Sequence, residues 1–247
     1  MKGVLTVLTL LKLKPSPNGH LHGERQFWRE MGSVYLEAWL AGVARHVPKP
    51  HRVRVMTDSP EIVPRGVSTV ALDTDVDAPG WWAKNNAFRA VVSAGRCLYM
   101  DLDTVLAGDL TALCALTPDP LVMLDDRHVP RLPNGSVMLF DAERCRGLWD
   151  DYARAPRTFE RFHVPDGDDY SHAFDQSYVA EWLAGMGHSV PFFQDFLPVG
   201  YCLNAFSELP RTDDWRSARL IFGCGGSKEG KMHTASHQVF RENWAAI

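Results

Sequence analysis

The chain has 247 residues, 45% of them hydrophobic, which is enough apolar material for one large α/β domain or two small ones. Its 26 basic and 30 acidic residues leave a formal charge of −4, so no global positive field draws it to nucleic acid or an acidic membrane. The five cysteines, at 97, 114, 145, 202 and 224, include no C-x-x-C pair of the zinc or redox kind, and buried free thiols in a reducing cytoplasm are the simplest reading.

Residues Met1 to Leu11 are apolar but too short to span a bilayer. Lys12, Lys14 and Pro15 follow at once, where a signal peptide would carry small residues, so the stretch reads as a first strand over about 3–13. No other apolar run reaches membrane length, and a cytoplasmic chain without a transmembrane segment is expected. After a loop rich in Pro, Gly, Asn and His, residues Phe27, Met31, Tyr35, Trp39 and Val43 recur four apart and predict a helix over 27–47. Strands are predicted at 51–57 and 67–72, then a helix from about Trp81 to Ala94 that Gly95 stops, then a strand at 97–100. Such alternation predicts a mostly parallel sheet covered on both faces. The second half is less regular, with short buried strands at 121–124 and 136–140, helices at 142–153 and 174–186, and Pro- and Gly-rich irregular chain through 187–235. With no repeat, low-complexity tract or linker, one domain over 1–247 is expected.

The chemistry concentrates at Asp101-Leu102-Asp103, where the buried strand emerges. Two carboxylates two residues apart project the same way from an extended backbone. Hard oxygens so placed suit Mg²⁺ or Mn²⁺, usually together with substrate phosphates. A surface pair at a strand end is the bland alternative. Ligands of open α/β sheets bind beyond the carboxyl ends of the strands, which favours a site.

Three further blocks accompany this one: Trp81-Trp82-Ala83-Lys84 ahead of it, Asn134-Gly135-Ser136-Val137-Met138-Leu139-Phe140-Asp141 after it, and then Asp175-Gln176-Ser177. With Leu98–Val105 around the two aspartates, their order and spacing make the chain resemble glycosyltransferase family 8 and its bacterial relatives, nucleotide-sugar enzymes of the GT-A fold. The resemblance covers roughly residues 3–230 and implies a nucleotide-binding half in 1–105 and a sugar and acceptor half in 106–247. It implies that Asp101 and Asp103 hold Mn²⁺ or Mg²⁺, and that Lys84 contacts the donor. Asp175 would orient the transferred sugar, and Gln176 would lie beside the reacting carbon. Asn134, and either Asp125 or Asp126, would meet sugar hydroxyls. Each residue also has an ordinary reading: Lys84 as an exposed helix lysine, Asn134 as a turn former, Asp175 as a helix cap.

Two stretches depart from the family's pattern. Family members bind uracil and ribose at the end of the first strand with an acidic or amide side chain, whereas this chain offers Thr9 and Lys12 there, leaving the base open. Their third metal ligand is a histidine near the C-terminus, where this chain has Phe222-Gly223-Cys224-Gly225-Gly226-Ser227-Lys228. Gly225 and Lys228 keep the look of a phosphate cradle. His233, with His237 or water as alternatives, is the expected substitute ligand.

The reading is thus a metal-dependent, retaining transfer of a sugar from a UDP-sugar to a hydroxyl. The alternatives are a nucleotidyltransferase of similar fold, or a degenerate nucleotide-sugar-binding domain that does not turn over. The acceptor stays open among glycans, lipid-linked glycans, proteins and small metabolites. A hydroxylated DNA base is a further candidate that the net charge does not support. Phe192, Phe193, Phe196 and Tyr201 form an aromatic cluster that either packs in the core or stacks on the acceptor.

Overall fold

The computed structural model describes residues 4–13, 24–73, 75–76, 80–126, 131–156, 174–205 and 217–222. In chain order these contain β1 (Leu5–Leu11), α1 (Glu24–His46), β2 (His51–Thr57), β3 (Ser68–Ala71), a 3₁₀ helix (Gly80–Phe88), β4 (Arg96–Met100) and β5 (Val105–Leu106). There follow α2 (Thr111–Ala115), β6 (Leu121–Asp125), β7 (Pro133–Asp141), α3 (Arg146–Arg154), α4 (Phe174–Gly185), α5 (Phe193–Phe196), β8 (Cys202–Asn204) and β9 (Leu220–Phe222).

Six strands form one sheet in the order β3-β2-β1-β4-β7-β6. β1, β2, β3 and β4 are parallel; β7 runs antiparallel to β4 and β6 on either side of it. The mostly parallel sheet expected from the alternation of elements is present, with β7 as the reversed strand. Because β1 lies inside the sheet, alternate residues enter opposite layers. Leu5, Val7 and Leu11 pack with Tyr35, Leu36, Trp39 and Val43 of α1, whereas Leu8 packs with Trp82, Ala83 and Phe88 of the 3₁₀ helix and with Tyr99 and Phe140. α3 and α4 cover that second face through Leu148, Tyr152, Tyr178 and Leu183. The Phe88 and Phe140 rings meet edge to face at 4.9 Å.

Three short strands form a second sheet, β5-β9-β8, on the α1 side. At Gly42 an added Cβ would lie 3.3 Å from Leu106 Cβ, so glycine is what lets α1 come down onto β5.

Three expectations need correction. The helix expected over 81–94 is a 3₁₀ helix that ends at Phe88. Asn86 gives the reason: its Nδ2 donates to the carbonyl of Ala83, 2.9 Å away, and its Oδ1 accepts from the amide of Asp73 at 2.9 Å. A side chain that bonds the backbone three residues back favours the tighter turn. The expected extended backbone at Asp101–Asp103 is instead a turn, closed by the Thr104 amide donating to the Asp101 carbonyl at 3.1 Å. Lastly, the stretch expected to be irregular contains α5, β8 and β9. Strands of three residues are too short to show an alternation.

Candidate functional site

The site forms where β4 ends beside the start of β7. Met100 pairs with Val137, and one residue further the Asp101 amide donates to the Ser136 carbonyl at 2.8 Å. This backbone pairing sets the Asp101 carboxylate close to Asn134 and Gly135. Lys84 reaches the same point from the 3₁₀ helix, its Nζ 3.1 Å from Asp101 Oδ2 and 3.5 Å from the Gly135 carbonyl. Only 4% of Lys84 is exposed, so the exposed helix lysine is not what the fold contains. A buried ammonium is retained when a carboxylate partners it.

The other oxygen of Asp101 has its own donor. The Tyr99 hydroxyl lies 2.6 Å from Oδ1, and the Lys84 ammonium stands 5.9 Å from the centre of the Tyr99 ring. Tyr99 belongs to the site, although the sequence marks it only as a flank of the acidic motif. Its signal was positional, since residues two apart on a strand face the same way.

Gln176, in the first turns of α4, accepts the Gly135 amide through Oε1 at 3.4 Å. Asn134 lies within β7 rather than in a turn; its Nδ2 donates to Asp126 Oδ2 at 2.9 Å and its Oδ1 accepts the Ser136 amide at 2.9 Å. Asp126 faces Asn134, while Asp125 is buried and its Oδ1 accepts the Arg131 amide at 2.8 Å, closing the β6–β7 connection. Gln194 of α5 secures Asp125 further: it accepts that residue's amide at 3.0 Å and donates to its carbonyl at 3.2 Å.

Lys84, Asp101, Asn134, Asp126 and Gln176 are thus brought together around Gly135. Asp103 lies half-buried in the turn, and Asp175 precedes Gln176 in α4. Lys12 is half-buried just past the end of β1. Thr9 is fully buried, on the α1 face of β1, opposite to the face that carries Tyr99 and Lys84; its hydroxyl has no hydrogen-bond partner among the described residues. Gly225, Lys228, His233 and His237 lie outside the described residues. Of the aromatic cluster, Phe192, Phe193 and Tyr201 are buried, and Phe196 is 56% exposed.

The donor set suits a hard cation. Asp101 already holds a positive group, the Lys84 ammonium, and Asp103 adds a second carboxylate from the same turn. Among the described residues no three His, Cys, Asp or Glu side chains cluster, so these two would share an ion with ligands from elsewhere, such as phosphate oxygens or water. Thiol chemistry has no support at the described cysteines. Burial pushes the Cys97, Cys114 and Cys145 thiols up to about 12, and all three are buried and unbridged.

No protein-family model matches the sequence, and no curated protein matches it. Solved structures do. The chain is similar to the galactosyltransferase LgtC in complex with donor and acceptor sugar analogues, with a TM-score of 0.61 and 13% identity over 98% of this chain and 96% of that one. An active-site variant of LgtC gives a TM-score of 0.61 at 11% identity, over 98% of this chain and 95% of that one. The glycosyltransferase GlyE of Streptococcus pneumoniae TIGR4 gives 0.51 at 14% identity, over 80% of this chain and 46% of that one. The chain therefore has the GT-A-type fold of these glycosyltransferases.

Proposed function

We propose that the chain is a metal-dependent, retaining glycosyltransferase that moves a sugar from a UDP-sugar to a hydroxyl acceptor. The observation that carries this reading is the convergence of Lys84, Asp101, Gln176 and the Asn134–Asp126 pair around Gly135, at the carboxyl end of β4. The shared fold supports it, since LgtC binds analogues of a donor and an acceptor sugar.

A divalent ion on Asp101 and Asp103 would supply Lewis-acid neutralisation of the donor diphosphate. Lys84 meets charge developing on the departing phosphate, as a compact ammonium in a water-poor position does best. Asn134 and Asp126 hold hydroxyls of the transferred sugar, and Asp175 helps to orient it. Gln176, fixed against the Gly135 amide, lies beside the reacting carbon. Its amide is a poor nucleophile, so the acceptor hydroxyl attacks the face that the phosphate leaves, and a phosphate oxygen takes its proton. The new glycosidic bond then keeps the anomeric configuration of the donor.

The test is a screen of UDP-sugars against hydroxyl acceptors, read by mass spectrometry, with NMR of the product anomer. The expected products are UDP and a glycoside of unchanged configuration. Pyrophosphate as product would instead identify a nucleotidyltransferase. Donor binding with no turnover under any condition would identify a binding domain, and an inverted linkage would refute the mechanism.

A further inference from the structure

The Tyr99 and Lys84 hydrogen bonds to the Asp101 carboxylate differ in how easily they can be given up. Tyr99 is fixed: it is fully buried in β4, paired with Leu8 of β1 and Met138 of β7, and its hydroxyl is 2.6 Å from Oδ1. Lys84 holds Oδ2 at 3.1 Å from the end of a flexible four-carbon stem, a longer bond than the one Tyr99 makes. Side-chain exposure is 6% for Lys84 and 22% for Asp101, so the pair is poorly screened on the lysine side and open to ligand on the aspartate side. A dication arriving at the same carboxylate would stand within a few ångströms of the ammonium, where like charges repel strongly in so dry a place. An anionic diphosphate removes that conflict, because it gives the ammonium a new partner and the ion new ligands.

We propose that Lys84 is the internal counter-cation of the ligand-free site, competing with the divalent ion for Asp101 until a nucleoside diphosphate takes the ammonium. This rests on the reading of Asp101 as a metal ligand and adds an order of events. Ion and diphosphate enter together, and the ion alone binds poorly. The residue that stabilises the leaving group is then also the one that keeps the empty site from filling with metal.

The experiment is a Mn²⁺ titration of the UDP-free protein, read by the electron paramagnetic resonance signal of free Mn²⁺. It compares wild type with Lys84→Met, which keeps the apolar stem, and Lys84→Gln, with folding of each checked by circular dichroism. Both variants are expected to bind Mn²⁺ at least about tenfold more tightly than wild type, as relief of one close like charge allows, and a further Asp101→Asn change should abolish the gain. The same titration with UDP present separates the two layers of the argument. If Asp101→Asn weakens Mn²⁺ binding with UDP while neither lysine variant tightens it without UDP, Asp101 is a metal ligand and the competition is refuted. If Asp101→Asn leaves Mn²⁺ binding unchanged with UDP, the metal reading of Asp101 falls and the competition falls with it.

Discussion

At Asp101 the carboxylate is held by one residue from its own strand and one from a helix that closes over the sheet. The Tyr99 hydroxyl is the strand's contribution, and its removal leaves Oδ1 without a partner that it had at 2.6 Å. Losing a hydrogen bond to a charged group in a buried setting costs about 1–3 kcal/mol. Tyr99→Phe is therefore expected to lower stability by about that amount, and at matched folded fraction to lower kcat/KM for sugar transfer by about ten- to a hundredfold, because the Asp101 carboxylate loses the donor that fixes its orientation. Unchanged kinetics would show that the tyrosine only fills space. A second expectation concerns the thiols. With Cys97, Cys114 and Cys145 pushed up to about 12 by burial, they hold almost no thiolate near neutral pH. In a Cys202→Ser/Cys224→Ser variant an aromatic disulfide reagent should react negligibly with folded protein and readily after denaturation. At this scale the acidic pair is legible from residue type and position, and Lys84 from the family resemblance. Which of Asp125 and Asp126 meets Asn134 is not, because the β6–β7 register shifts between Met123 and Leu124 and resets which side chain faces it.

The element that matters most to the site is the 3₁₀ helix carrying Lys84. Its Trp82 ring stacks on Tyr152 of α3 at 5.4 Å with an interplanar angle of 3°, and meets Tyr178 of α4 at 6.0 Å. Tyr178 in turn donates to the Leu148 carbonyl at 2.6 Å. One aromatic cluster thus sets the helix bearing Lys84 against the helix bearing Gln176. Trp82→Ala should cost about 3–5 kcal/mol of stability, measured by chemical denaturation, and should lower kcat more than Trp82→Phe does at matched folded fraction. Equal kcat in the two variants would separate the cluster from the site. The sequence predicts a longer helix over 81–94, stopped by Gly95, since the side-chain bonds of Asn86 become visible only when Asp73 and Arg89 are seen around it. The same holds for β8 and β9, whose three residues each find partners only across the small sheet.

At the scale of the whole molecule, the parallel strands β1 to β4 place the end of β4 where such sheets bind ligands, and the reversed β7 brings Asn134 and Gly135 to meet it. That architecture was legible because long apolar runs and a four-residue stripe survive in the sequence whatever their contacts. The pairing of β7 with β4 was not legible, since register between distant strands depends on packing. No helix among the described residues is long and apolar enough to cross a membrane. The proposed chemistry depends on a cation at Asp101 and Asp103, and the most direct measurement is UDP release and glycoside formation with Mn²⁺ or with EDTA, for wild type, Asp101→Ala and Asp103→Ala. EDTA should abolish turnover, and each variant should lose at least about a hundredfold in kcat, in line with the several kcal/mol that a Lewis acid supplies. Full activity in EDTA, or in either variant, would contradict the proposed site.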